Sequence, residues 1–313
     1  MQKFLVTRRI GAGLDFPSLA QAVSQAASRG VAKARSAKEH LFAPATFALL
    51  LLTAMSMAPI ASCLRLSAPA ALYPRDERRL MLDEDFRRYP GAGVLLCQTD
   101  EGRFERASAA WLIGSRQLVV LNAHNFFDRG LHPTRPVSDC FFQIADETLE
   151  FDPQSLCLGA EQATQSLHIT DDWAVLRLRR PVSENAAPQP IPDVEALTTG
   201  VIDLSVTMVS PAGHANYRQM TSIESCTIRE IDAPSEDGIR RARHDCNDGY
   251  GGSGSGLFSQ DGRLIAMHSA SLDMNARRPF NIESHYGSAL LFEGALLTAI
   301  RENILEPRCP HHS

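Results

Sequence analysis

After Lys38 this 313-residue chain contains no lysine. Residues 1–63 hold seven of its 31 basic and two of its 36 acidic side chains. The rest therefore carries 24 arginines against 34 acids, a formal charge of −10. That balance argues against non-specific nucleic-acid binding, which needs a positive face. The lysine deficit itself carries no function. CxxC spacing is also missing, and with it the usual mark of a zinc site. No metal or cofactor is expected. There is no internal repeat.

Charge is absent from one further stretch, Leu41–Ser62, which includes FALLLLTAM and follows Arg29, Lys33, Arg35 and Lys38. A basic region, an apolar run and then small residues describe an export signal. The run is long enough to span a membrane, although Pro44 and Pro59 interrupt it. Ile60-Ala61-Ser62-Cys63 also matches a bacterial lipobox. Export is expected, with cleaved, lipidated (on Cys63) and membrane-anchored forms in that order. Any membrane contact is expected only through this leader. Seven cysteines become an even six once Cys63 is removed or lipidated. Disulfides in an oxidising compartment are the expectation, Cys226–Cys246 first and Cys140–Cys157 next, with buried free thiols as the alternative.

What is present is a glycine-dense turn, HDCNDGYGGSGSGLF at residues 244–258, with Ser253 inside it. Glycines permit backbone angles that other residues avoid. Such a turn aims backbone N–H groups at one point while exposing a hydroxyl, as a nucleophile with an oxyanion hole requires. A Gly/Ser linker fits poorly, because strand-like stretches flank the run closely. Gly249, Gly251 and Gly254 satisfy GxGxxG, but that fingerprint must open a helix. Here Leu257-Phe258, a Ser-Gln-Asp-Gly turn and Arg263-Leu-Ile-Ala-Met follow, which reads as a hairpin. The hydrolase elbow needs GxSxG, and neither Ser253 nor Ser255 has glycine on both sides.

Short strands dominate the remainder. They are expected at 93–98, 109–113, 117–121, 139–144, 173–178, 203–209, 222–230, 256–259 and 264–269, a pattern of all-β barrels or sandwiches. One helix is expected near 291–303, and the proline-rich segment 181–192 reads as a linker between halves. The division that follows is a leader at 1–66, an arm at 67–89, a first barrel at 90–185 and a second barrel with the helix at 186–313.

A serine nucleophile needs a base, usually histidine, and the histidine needs an anion to fix its tautomer. His124 follows the apolar run LVVLNAH, and Asp172 directly precedes an alternating strand, DDWAVLRL. Each is ordinary alone: a loop histidine is commonly structural, and an aspartate before a strand is commonly turn chemistry. Asp171 is the rival for the anion.

In the order His, Asp, Ser these contexts resemble a trypsin-fold (chymotrypsin-like) serine peptidase. Leu121-Asn122-Ala123-His124 is similar to the TAAH motif of that family. Asp172-Trp173-Ala174-Val175 is similar to its D-[apolar]-A-[apolar] motif, and Gly251-Gly252-Ser253-Gly254 to its G-x-S-G motif. The likeness covers roughly residues 73–305. GGSGSG and the arm YPRDERRLMLDEDFRRYPGAGVLL further resemble the bacterial glutamyl-endopeptidase-like branch.

The resemblance implies two six-stranded antiparallel β-barrels with the active site in the cleft between them, and a C-terminal α-helix. It implies an endopeptidase acting on protein or peptide substrates, and a monomer is expected. Ser253 would attack, His124 would take the proton, Asp172 would orient His124, and the backbone N–H groups of Gly251 and Ser253 would hold the oxyanion. It places Asn247, Asp248, His268 and Ser269 around the primary pocket. His268 would favour an acidic substrate side chain, and Asp248 would favour a basic one. Gly252 stands where animal enzymes carry an aspartate, so activation by a salt bridge to a new N-terminus is not expected. The alternative function is a catalytically silent binding protein on the same fold.

Overall fold

In the computed structural model, residues 72–159, 167–194, 196–212, 221–247, 252–272 and 277–305 are described. They belong to one unit, Arg65–Ser313. The leader with its apolar run and Cys63, together with Asp248 and Gly251, lies outside the described residues. Among those residues, no helix is long and apolar enough to cross a membrane.

The first barrel is built from β2 (Ala92–Gln98), β3 (Phe104–Leu112), β4 (Leu118–Leu121), β5 (Cys140–Ile144), β6 (Glu147–Leu158) and β7 (Ala174–Leu178). It closes in the order β2-β3-β4-β7-β6-β5. Side chains alternate across a strand, and here both sets are buried. On β3 and β4, Ala110, Leu112, Val119 and Leu121 fill the barrel interior. Their neighbours Trp111, Leu118 and Val120 point the other way, into a core shared with Val209, Phe258 and Leu290 of the second barrel. This double burial explains why LVVL contains no polar residue.

The second barrel uses β8 (Gly200–Ser210), β9 (Ser222–Ile231), β10 (Arg241–His244), β11 (Gly256–Ser259), β12 (Leu264–Ser271) and β13 (Gly287–Leu291). The ladder β9-β10-β13-β12-β11-β8 closes through a β8–β9 pairing, and the two-residue β1 (Arg79–Leu80) is added to the edge of β9. Two six-stranded antiparallel barrels are thus present, as expected. A short helix α1 (Asp83–Arg88) follows β1. The C-terminal helix α2 (Gly294–Leu305) buries Leu296, Ala299, Ile300 and Asn303 at helical spacing and packs against β4.

Four strands and α1 were not among the expected elements. β6 contains Pro153, β10 reads Arg-Ala-Arg-His, and β13 opens on Gly-Ser, so none has a strand-like composition. The segment 181–192 does connect the barrels, but it is docked rather than loose. Gln189 donates its N–H to the Leu112 carbonyl (2.7 Å) and accepts from the Gly114 N–H (2.8 Å).

Cys226 and Cys246 are bonded as expected. Cys140 is a correction: its partner is Cys97, not Cys157. Cys97 on β2 lies directly opposite Cys140 on β5 in the antiparallel register, whereas Cys157 sits opposite Val175 on β7. Cys157 is disulfide-bonded as well.

Candidate active site

Leu121 at the end of β4 pairs with Ala174 at the start of β7. The chain on either side of this pair delivers His124, in a 3-10 turn after β4, and Asp172, just before β7. The Asn122 side-chain amide donates to the Asp172 carbonyl (3.0 Å), and the Asn125 amide donates to the Asn122 carbonyl (2.9 Å), fixing both loops.

Asp172 is 3 % exposed. One carboxylate oxygen accepts the backbone N–H of His124 (2.9 Å), and the other accepts Nδ1–H (2.7 Å). With the proton held on Nδ1, Nε2 is free to accept. The Ser253 hydroxyl lies 2.8 Å from it. Burial pushes the His124 pKa down, and the Asp172 charge and hydrogen bond push it up further, so it ends above its ordinary value. Asp171 is engaged elsewhere: its carboxylate accepts from the Thr170 hydroxyl, and burial raises its pKa.

Ser269 also sits at this centre. Its hydroxyl donates to Asp172 Oδ2, the same oxygen that holds His124 Nδ1. Sequence reasoning put Ser269 near the pocket and missed this contact, which joins residues 97 positions apart.

The serine turn is anchored from both barrels. Ser253 O accepts the Ala109 N–H of β3 (2.9 Å), and Gly254 O accepts the Trp111 indole N–H (2.7 Å). Gly254 N–H donates to the His268 carbonyl (2.9 Å) on β12. Gly254 has φ +78°, and a Cβ there would lie 2.1 Å from the Ala109 carbonyl oxygen. Glycine is therefore required at this position.

His268 is buried and linked to His244, a residue not singled out in the sequence. The Cys246 N–H donates to His244 Nδ1 (3.2 Å), so His244 carries its proton on Nε2 and donates it to His268 Nδ1 (3.0 Å). His268 is thereby left with its proton on Nε2. Asn247 is buried, with its amide engaged by the N-terminal arm. The one cluster of metal-ligating type among the described residues, Glu224 with Cys226 and Cys246, contains the disulfide.

A carboxylate, an imidazole and a hydroxyl in this order can move a proton from serine to histidine while the serine oxygen attacks an acyl carbon. A solved structure of a Glu endopeptidase in complex with MPD has the same trypsin-like fold. It is 13 % identical and covers 75 % of this chain and 100 % of that one, with a TM-score of 0.50. No family model matches the chain. No curated protein matches it either.

Proposed function

We propose that the protein is an exported serine endopeptidase that hydrolyses peptide bonds through an acyl-enzyme. The carrying observation is the unbroken chain from Asp172 through His124 to the Ser253 hydroxyl, at 2.7 and 2.8 Å. In this reading Ser253 Oγ attacks the substrate carbonyl carbon as His124 Nε2 takes its proton. The imidazolium, held by Asp172, then gives that proton to the leaving amine. Water repeats the sequence on the ester. The N–H groups of Gly251 and Ser253 hold the tetrahedral oxyanion, one such donor contributing about 3–4 kcal/mol.

The disulfides support an oxidising location, and the leader composition supports export. For specificity, the His244–His268 pair supports an acidic preference. That hydrogen bond fixes the orientation of the His268 ring, the side chain that the glutamyl-endopeptidase-like branch turns toward a carboxylate.

A peptide library incubated with wild type and with Ser253→Ala tests the function. Wild type should cleave, with enrichment of acidic residues before the scissile bond, and the variant should fall by around 10⁶ in kcat. Equal cleavage by both would remove Ser253 from the chemistry. A folded wild type that cleaves nothing would favour a binding protein on this fold.

A further inference from the structure

The N-terminal arm is docked where the serine turn begins. The Tyr73 N–H donates to Asn247 Oδ1 (2.9 Å), and Asn247 Nδ2–H donates to the Arg75 carbonyl (2.8 Å). The Tyr73 hydroxyl donates to the His244 carbonyl (3.3 Å). Arg277 closes over the outside, donating to the carbonyls of Tyr73 (3.2 Å) and Pro74 (2.7 Å). Beneath, the buried His285 donates from Nε2 to the Leu72 carbonyl (3.0 Å) and meets the Tyr73 ring edge-on. The peptide N–H of Asn247 donates to the buried carboxyl group of Glu224 on β9.

Five residues separate Asn247 from Ser253. The chain entering this interval is pinned in steps. Asp245 exchanges hydrogen bonds with Thr227 (2.7 and 3.0 Å), Cys246 is bonded to Cys226, and Asn247 is held by the arm and Glu224. On the exit side, Gly254 is held by His268 and Trp111. Asn247 before Ser253 and Gly254 after it are thus held positions that flank the serine in the chain. Gly252 supplies no acid to anchor an ammonium group, so order at the entry must come from elsewhere.

We propose that Leu72–Arg75 is a clamp on Asn247, and that Asn247 is a positioning residue which fixes the entry of the serine turn for attack. This rests on the peptidase reading. Asn247 acts through Ser253 and its neighbouring N–H groups rather than by touching substrate.

The test uses full-length protein and a small alkyl fluorophosphonate, which has no side chain to occupy a specificity pocket. Asn247→Ala should label at Ser253 about tenfold or more slowly than wild type, since small displacements of a reacting group cost this much. Arg277→Ala, which loosens the arm from outside, should slow labelling in the same direction. Hydrogen exchange across residues 245–254 should rise in both. Should Asn247→Ala fail to fold, Arg277→Ala and Tyr73→Phe carry the comparison. If folded variants label at the wild-type rate and lose only peptide kcat/KM, Asn247 is a pocket residue and the clamp is wrong. If wild type itself does not label, the peptidase reading fails instead.

Discussion

The indole N–H of Trp111 reaches across from the first barrel to the carbonyl of Gly254, 2.7 Å away, one residue after Ser253. A strand of one barrel thus holds the turn that carries Ser253 in the other, while His124 lies on the first barrel itself. Trp111→Phe keeps the ring packing and removes the donor. A buried carbonyl losing its partner should destabilise by about 1–3 kcal/mol, and peptide hydrolysis should fall more steeply than stability explains. Gly254→Ala should be worse on both counts, because its Cβ meets the Ala109 carbonyl. Thermal melts alongside kcat/KM for both variants check this.

Asp172→Asn should reduce kcat by about 10⁴, because an amide no longer enforces the tautomer with Nδ1–H. Ser269→Ala should cost far less, of the order of tenfold, since Asp172 keeps both His124 contacts. Steady-state kinetics of the two variants should preserve that ranking.

In the proposed peptidase, the raised pKa of His124 sets the acid limb of activity. Burial lowers it, the Asp172 charge and hydrogen bond more than offset this, and Arg129 lowers it slightly. The neutral imidazole is the working base, so kcat/KM should rise with pH through a midpoint above 6.5. Arg129→Ala should move that midpoint higher still. A pH profile of kcat/KM reports both, because it follows the free enzyme.

Glu224 lies beside Asn247, whose peptide N–H its carboxyl group accepts. It is 6 % exposed, and burial raises its pKa from 4.5 to about 8 against the hydrogen bonds from Asn247. A carboxyl raised on folding favours the folded state fully below its unfolded value. That contribution is lost as pH climbs from about 4.5 to about 8. Glu224→Gln should therefore flatten the fall in Tm across this window and melt higher than wild type at pH 8. Calorimetry at pH 5 and pH 8 measures the difference.

The hydrogen-bonded row of Asp172, His124 and Ser253 was legible because each member sits in a short local signature: an apolar strand before His124, an alternating strand after Asp172, glycines around Ser253. The partners that orient it were not. Ser269 meets Asp172, and His244 meets His268, only through strand register in the folded barrels, which composition does not encode. The same limit misassigned Cys140, whose partner Cys97 is set by the β2–β5 register. β10 escaped notice because its arginines pair with Asp232 and Glu230 rather than following an apolar alternation. The arm was recognised as a segment, but its docking on Asn247 depends on backbone groups that carry no sequence signal.

Labelling with a fluorophosphonate probe, followed by mass mapping of the modified peptide, reports whether Ser253 is an activated nucleophile. One adduct per chain is expected, on Ser253, absent from Ser253→Ala and suppressed in His124→Ala. An unlabelled but folded wild type, or an adduct on another residue, would contradict it.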